Sequence, residues 1–359
     1  MAPKIRTNVR LVDACDKYLA RIEAEGQSRS SIYTANHALT RFQRTVATRR
    51  DPNPLLHLIS PETMDDYCYG ESGLRSGREG KPIAAVTFNR YRSVLVNFFN
   101  YAVVMRWIDV SPMDGIRRAR PDAQKVRLLL SAGEMIQMLE QAANPVERVA
   151  LSIGMNTGLR ANDIRHLTIF DANLSSGVLQ SEIRKTRKFD EKPITMDLHR
   201  ELVRFLDWYA HRLGLDSRSE LPNDALLVPT YRNAAPREAD REVHLRPYAM
   251  HTHPWRLVQR PLAQLGYPTK GEGFHTLRRS SARAFFESLR QSGEGRDHAL
   301  MIVKDFLNHS STAITEHYLG LSQERTIRDT LLKDKSFLTS FAQVEHSRVA
   351  PEGKVRQLG

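Results

Sequence analysis

In the stretch NHSSTAITEHYLG, Tyr318 follows His309 by nine residues, and little around either side chain needs to be buried. Three other segments carry reactive groups. In NTGLRANDIRHL, Arg160 follows a glycine turn and stands at the start of a helix. Asp163 comes about one turn later and can brace the arginine from the same side. In FHTLRRSSARAFF, His275 and Arg278 are three apart and share a helix face. The run RKTRK crowds cations, Lys185 and Lys188 among them, into a turn. Each segment alone has an ordinary reading, as a surface arginine, a weak HxxR pair or a solvated basic turn.

Together they suit one chemical task. A tyrosine hydroxyl, with a pKa near ~10, is a poor nucleophile at neutral pH. Its attack on a phosphodiester builds negative charge on the non-bridging oxygens, which two arginines and histidine donors can hold. Nearby cations also favour the tyrosinate. A lysine gives up its proton to an expelled 5′ oxygen more readily than an arginine does. No carboxylate cluster or Cys/His set has metal spacing, and His251 to His253 read as a polar loop, so neither metal nor other cofactor is expected.

The elements that must position these groups follow from periodicity. The chain has 359 residues and is 41% hydrophobic, enough for two domains with real cores. Its net charge of +12, largely arginine, points to a polyanionic partner, with DNA or RNA ahead of an anionic membrane surface. Two cysteines, Cys15 and Cys68, are too few for a disulfide framework and read as reduced and buried. No stretch spans a bilayer and the start lacks an apolar signal region, so a cytoplasmic protein with no membrane partner is expected.

Val9, Val12, Cys15, Leu19 and Ile22 mark one amphipathic helix, and Ile32, Ala35, Leu39, Phe42 and Val46 a second, which shows Arg41 and Arg44 on its other face. Ser60 and Pro61 open a third helix. A loop, GESGLRSGREGKP, precedes a long helix with Tyr91, Val94, Leu95, Phe98, Phe99, Ala102 and Met105 inward and Asn89, Arg90, Arg92 and Asn97 off the stripe. This first unit runs over 1–116. The basic linker that follows, 117–130, contains Arg117, Arg118 and Arg120. A charge run is usually a solvated face, but between two helical domains of a basic protein it suits a strap along phosphate. The second unit, 131–335, opens with a Ser131/Glu134 capping box. Its strands are expected at GVLQSEI and KPITM, joined by RKTRKFDE, with a long polar insertion from Asp216 to His253 around a short strand, LLVP. A C-terminal helix and tail occupy 336–359.

The order Arg160, Lys185, His275-x-x-Arg278, His309, Tyr318 resembles the tyrosine recombinase (phage integrase) family. TGLRANDIRHL resembles its first arginine box, FHTLRRSSA its HxxR box and FLNHSSTAITEHYLG its LGHSS segment with the tyrosine nine residues on. NFFNYAVVMRWIDVSPMDGI resembles the end of its core-binding domain. The similarity covers about Val9 to Leu332. Asn308, Thr276 and Arg279 depart from a usual glycine, a common aspartate and a frequent histidine, respectively.

The resemblance implies a mainly α fold with a small antiparallel sheet (α+β), a two-domain DNA clamp made of a helical core-binding domain and a catalytic domain. Tyr318 would form a 3′-phosphotyrosine, Arg160, His275, Arg278 and His309 would contact the phosphate, Lys185 would be the general acid and Asp163 would support the site. The partners implied are double-stranded DNA at core recombination sites, a homotetramer on two duplexes, and an accessory protein that bends DNA or sets direction. Arg41, Arg44, Arg90, Arg92, Arg117, Arg118 and Arg120 are the expected DNA contacts. Integration and excision of a phage or mobile element leads, ahead of a Xer-type chromosome-dimer resolvase, a relaxing tyrosine topoisomerase or a non-catalytic DNA-binding regulator. The helical pattern begins near residue 9, so no arm-binding domain is expected, and the last helix is expected to dock on a neighbouring subunit.

Overall fold

A computed structural model describes residues 8–70, 73–74, 83–120, 127–183, 188–233 and 243–321. The chain divides into two compact units, Met1–Val126 and Arg127–Gly359.

In the first unit, Ser28 caps α2 (Arg29–Val46) by accepting the Ser31 N–H at 3.1 Å, and Ser60 with Pro61 opens α3 (Pro61–Tyr69). These helices, with α1 (Leu11–Ala24) and α4 (Ala85–Val104), enclose Phe42, Phe88, Phe98 and Phe99, all fully buried. Each such phenylalanine contributes on the order of 1.5–3 kcal/mol of burial. The inward face of α1 is Leu11, Ala14, Cys15 and Tyr18, with Val9, Leu19 and Ile22 at its margin. Met105 does not belong to the stripe of α4. It caps the helix C-terminus, 40% exposed, because Arg106 turns left-handed there (φ 59°). Cys15 and Cys68 are buried free thiols whose pKa values burial pushes up to about 12, so neither is reactive at neutral pH. Within the GESGLRSGREGKP loop, Leu74 is fully buried.

Asn89 and Arg92, read from the sequence as lying off the apolar stripe, hold the end of this unit. The Asn89 amide makes reciprocal 2.8 Å bonds with the backbone of Ala119, and Arg92 Nε donates to Ile116 O at 2.6 Å.

In the second unit, the Ser131/Glu134 capping box opens α5 (Ala132–Glu140), and Asn144 with Pro145 opens α6 (Pro145–Thr157). Helix α6 packs on α8 (Met196–Arg212) and on α10 (Phe274–Gln291), and α9 (Arg256–Gln264) closes the core. A three-stranded antiparallel sheet runs β1 (Ala172–Asn173), β2 (Val178–Ile183), β3 (Lys188–Pro193). The third strand differs from the sequence expectation. It starts at Lys188 and ends at Pro193, so Phe189, Asp190 and Glu191 are strand residues, whereas Ile194 to Met196 are not. The register explains this: Ile183 pairs with Lys188 and Val178 with Pro193, leaving four residues for the connection.

The Asp216–His253 insertion also differs. Leu226, Leu227 and Val228 are buried as their apolarity requires, but they form no strand beyond a single bridge from Leu226 to Thr168. A two-stranded hairpin, β4 (Thr230–Asn233) with β5 (Val243–Arg246), lies in the stretch expected to be polar loop. The last described elements are α11 (Arg296–Phe306) and α12 (Thr312–Leu319). The C-terminal helix and its docking role lie outside the described residues.

Candidate active site

Arg278 is the centre of the second unit's reactive groups. It is 4% exposed on α10 and donates from Nη1 to Gly158 O and from Nη2 to Leu307 O. One guanidinium thereby ties the end of α6 to the end of α11. Burial first, then the charge of Arg160, pulls its pKa down to about 10, which still leaves it charged at neutral pH. Gly158 accepts this bond from a left-handed turn (φ 59°), and a Cβ there would sit 3.0 Å from the Phe306 ring. That turn delivers Arg160, half-buried at the N-cap of a short helix, α7 (Ala161–Ile164). Asp163 is buried on α7, and its charge favours the cationic form of Arg278.

His275 lies one helical turn before Arg278 with an exposed edge. Desolvation by its surroundings, then Arg278, Arg160, Arg279 and Arg127, lower its pKa, so it is neutral at pH 7. The Tyr318 hydroxyl is 3.5 Å from His275 Nδ1 and donates to His275 O at 3.4 Å. The Arg278 guanidinium carbon lies 6.0 Å from the Tyr318 ring centroid. His309 packs edge-on to the same ring at 5.2 Å. Burial raises the tyrosine's pKa, and Arg278, Arg279 and Arg160 pull it back. His275, Arg278, His309 and Tyr318 therefore gather at one place, with Arg160 near enough for its charge to act on His275, Arg278 and Tyr318.

The segment between His309 and Tyr318 is built by small polar residues. Ser311 caps α12, and Gly320 ends it in the left-handed region (φ 74°). Thr315 is fully buried, with its hydroxyl 3.1 Å from His309 Nδ1. Leu319 anchors the helix in a cluster with Ala282, Leu300 and Val303. Asn308 takes φ 52°, a conformation open to glycine and tolerated by asparagine, which accounts for the departure at that position.

The other two departures share a partner that sequence reasoning missed. Glu272 pairs with Arg279 at 3.1 Å and accepts the Thr276 hydroxyl. Arg279 also donates to Leu128 O at 3.2 Å. Asp190 and Lys192 were missed too; their alternate positions on β3 carried the signal that both face inward. Lys185 lies outside the described residues, and Lys188 is the first residue of β3.

Of the arginines expected at DNA, Arg41 and Arg44 line a cleft of about 510 Å³ on the first unit with Tyr33, Asn36, His37, Thr40 and Thr45. Arg90 donates to Thr34 Oγ1 at 2.6 Å, and Arg117, Arg118 and Arg120 are exposed. Arg92 is committed to Ile116 O. Among the described residues no three His, Cys, Asp or Glu side chains gather as a metal site, and no helix is long and apolar enough to cross a membrane.

Residues 126–325 match the phage integrase family, and the chain belongs to that family, the tyrosine recombinases. Its mainly helical fold with small antiparallel sheets is that of solved integrases. A lambda integrase dimer bound to a COC′ core site superposes with a TM-score of 0.60 at 20% identity, covering 87% of this chain and 95% of that one. A lambda integrase tetramer bound to a Holliday junction gives 0.60 at 19%, covering 88% and 78%. The Tn1549 transposon integrase in complex with a circular intermediate DNA gives 0.57 at 14%, covering 93% and 99%. Among curated proteins none matches.

Proposed function

We propose that this tyrosine recombinase cleaves and rejoins double-stranded DNA at specific core sites, integrating and excising a phage or mobile element in a bacterial cytoplasm. The observation that carries the reading is the Tyr318 hydroxyl set against His275, beside the buried Arg278 and edge-on to His309. The phenolic oxygen attacks the scissile phosphorus while the P–O5′ bond breaks. Neutral His275 is placed to take the phenolic proton, and Lys185 supplies one to the leaving 5′ oxygen. Arg160, Arg278 and His309 hold the charge that develops on the non-bridging oxygens, and Asp163 supports them. The 5′ hydroxyl of another strand then reverses the step. The phosphotyrosine conserves the bond energy, so no nucleotide triphosphate is needed.

The solved lambda integrase tetramer on a Holliday junction supports a homotetramer acting on two duplexes. The domains assigned are 1–116 and 131–335, joined by a basic strap whose Arg117, Arg118 and Arg120 lie along phosphate, with Arg41, Arg44 and Arg90 adding contacts from the first unit. An accessory protein bends the DNA or sets direction.

The test uses the duplex that the full chain selects from a randomised pool, nicked near the cleavage point so that the product is trapped. Wild type accumulates a covalent 3′ adduct and Tyr318→Phe does not, although it binds the same duplex. Binding without an adduct in the wild type would mark a non-catalytic regulator and overturn the proposal.

A further inference from the structure

The tip of β3 and the turn before His309 are joined by a polar cluster that no step of the chemistry uses. Lys192 has a side chain 5% exposed and Asp190 one 15% exposed, paired at 2.9 Å. Lys192 also donates to Phe306 O, the last residue of α11, at 2.5 Å, and its ammonium lies 5.1 Å from the Phe306 ring. The other end of the pair reaches the following turn, where Asn308 Nδ2 donates to Asp190 Oδ2 at 2.7 Å. Leu307 O, between these two contacts, is the carbonyl that accepts from Arg278. Three consecutive residues, Phe306, Leu307 and Asn308, are thus gripped by Lys192, Arg278 and Asp190 immediately before His309.

The cost of this arrangement is informative. Lys192 stands across the sheet from fully buried Leu179, at a position where an apolar residue would pack without desolvation. A buried ion pair seldom stabilises more than a hydrophobic replacement would, so its presence in a strand that otherwise alternates calls for another role. Burial, together with Arg278 and Arg160, works against the Lys192 charge, while Asp190 supports it. A cation at the C-terminal carbonyls of α11 also meets the negative end of that helix. The contacts are directional and converge on a turn whose left-handed residue must be set before His309 can be aimed.

We propose that the Lys192–Asp190 pair is a positioning device that fixes the Phe306–Asn308 turn and so aims His309 at the scissile phosphate. The inference rests on the recombinase reading above and adds residues that act through His309 rather than on the DNA. Neither side chain touches the phosphate; each restricts where the histidine can stand. A misplacement of about 1 Å can cost up to ~100-fold in rate, so a loosened turn shows in catalysis before it shows in binding.

The experiment measures adduct formation on the nicked duplex at saturating full-length protein, alongside the dissociation constant for that duplex. Lys192→Met is expected to slow the saturated rate by about tenfold or more while affinity changes by less than about twofold. The double variant Asp190→Asn/Lys192→Met removes both charges, leaves no lone buried carboxylate, and shows the same split. Asn308→Gly keeps the left-handed turn, loses the bond to Asp190, and slows the rate less. The deciding step repeats these changes in a His309→Ala background, where each loses most of its effect. Equal losses with and without His309, or unchanged saturated rates in the double variant and Asn308→Gly, would overturn the proposal. A wild type that forms no adduct instead removes the recombinase reading itself.

Discussion

Arg278→Lys separates the two jobs of the buried arginine. The native guanidinium serves Gly158 O with one nitrogen and Leu307 O with the other, at a site 4% exposed. A lysine keeps the charge but offers a single ammonium, which cannot span two carbonyls as a planar fork does. One buried carbonyl then loses a charge-assisted donor, a loss of about 1.5–3 kcal/mol. For a unit of roughly 200 residues, each kcal/mol moves the melting temperature by about 2–4 °C, so the second unit should melt ~3–12 °C lower. The rate of adduct formation should fall about 100–1,000-fold, the usual consequence of losing one preorganised donor to developing charge. Calorimetry on the full chain and a time course on the nicked duplex read the two effects separately. A melting temperature within ~1 °C of wild type would refute the carbonyl ties, and an unchanged rate would refute contact with the phosphate.

Two further outcomes test the general acid and the titrating histidines. Lys185→Ala should slow cleavage of the normal duplex yet recover on a duplex whose leaving 5′ oxygen is replaced by sulfur, because a thiolate departs without a proton; Lys188→Ala should leave both rates near wild type. His275 and His251 have folded pKa values below the unfolded ~6.5, so the unfolded chain binds the extra protons and stability falls as pH drops below that value. The pH dependence of melting between about 7.5 and 5 should flatten in His275→Gln/His251→Gln, and an unchanged slope would contradict the assignment.

The residues that the resemblance singled out lie on elements whose local signals are plain in the sequence. The turn at Gly158 precedes Arg160, the three-residue spacing puts His275 and Arg278 on one face, and the Ser311 cap starts the helix that carries Tyr318. The misses have physical causes. Asp190 looks like part of a solvated turn and Lys192 like an ordinary charged strand residue, and burial of their paired charge depends on α11, far away in sequence. The β4–β5 hairpin escaped because β4, TYRN, is mostly polar and the alternation of β5, VHLR, lasts only four residues. Asn89 and Arg92 looked like an exposed polar face because their partners, Ala119 and Ile116, lie in a segment without periodicity.

Glu272 couples two positions of α10. Thr276 and Arg279 both lean on one carboxylate, so the two positions are locked to each other through a third. An aspartate in place of Thr276 would set a second carboxylate against Glu272 and take away the hydroxyl that Glu272 now accepts. Replacing Arg279 by histidine would leave Glu272 without its permanent cation. Either change is therefore expected to be damaging when introduced alone, because the two positions answer to the same carboxylate.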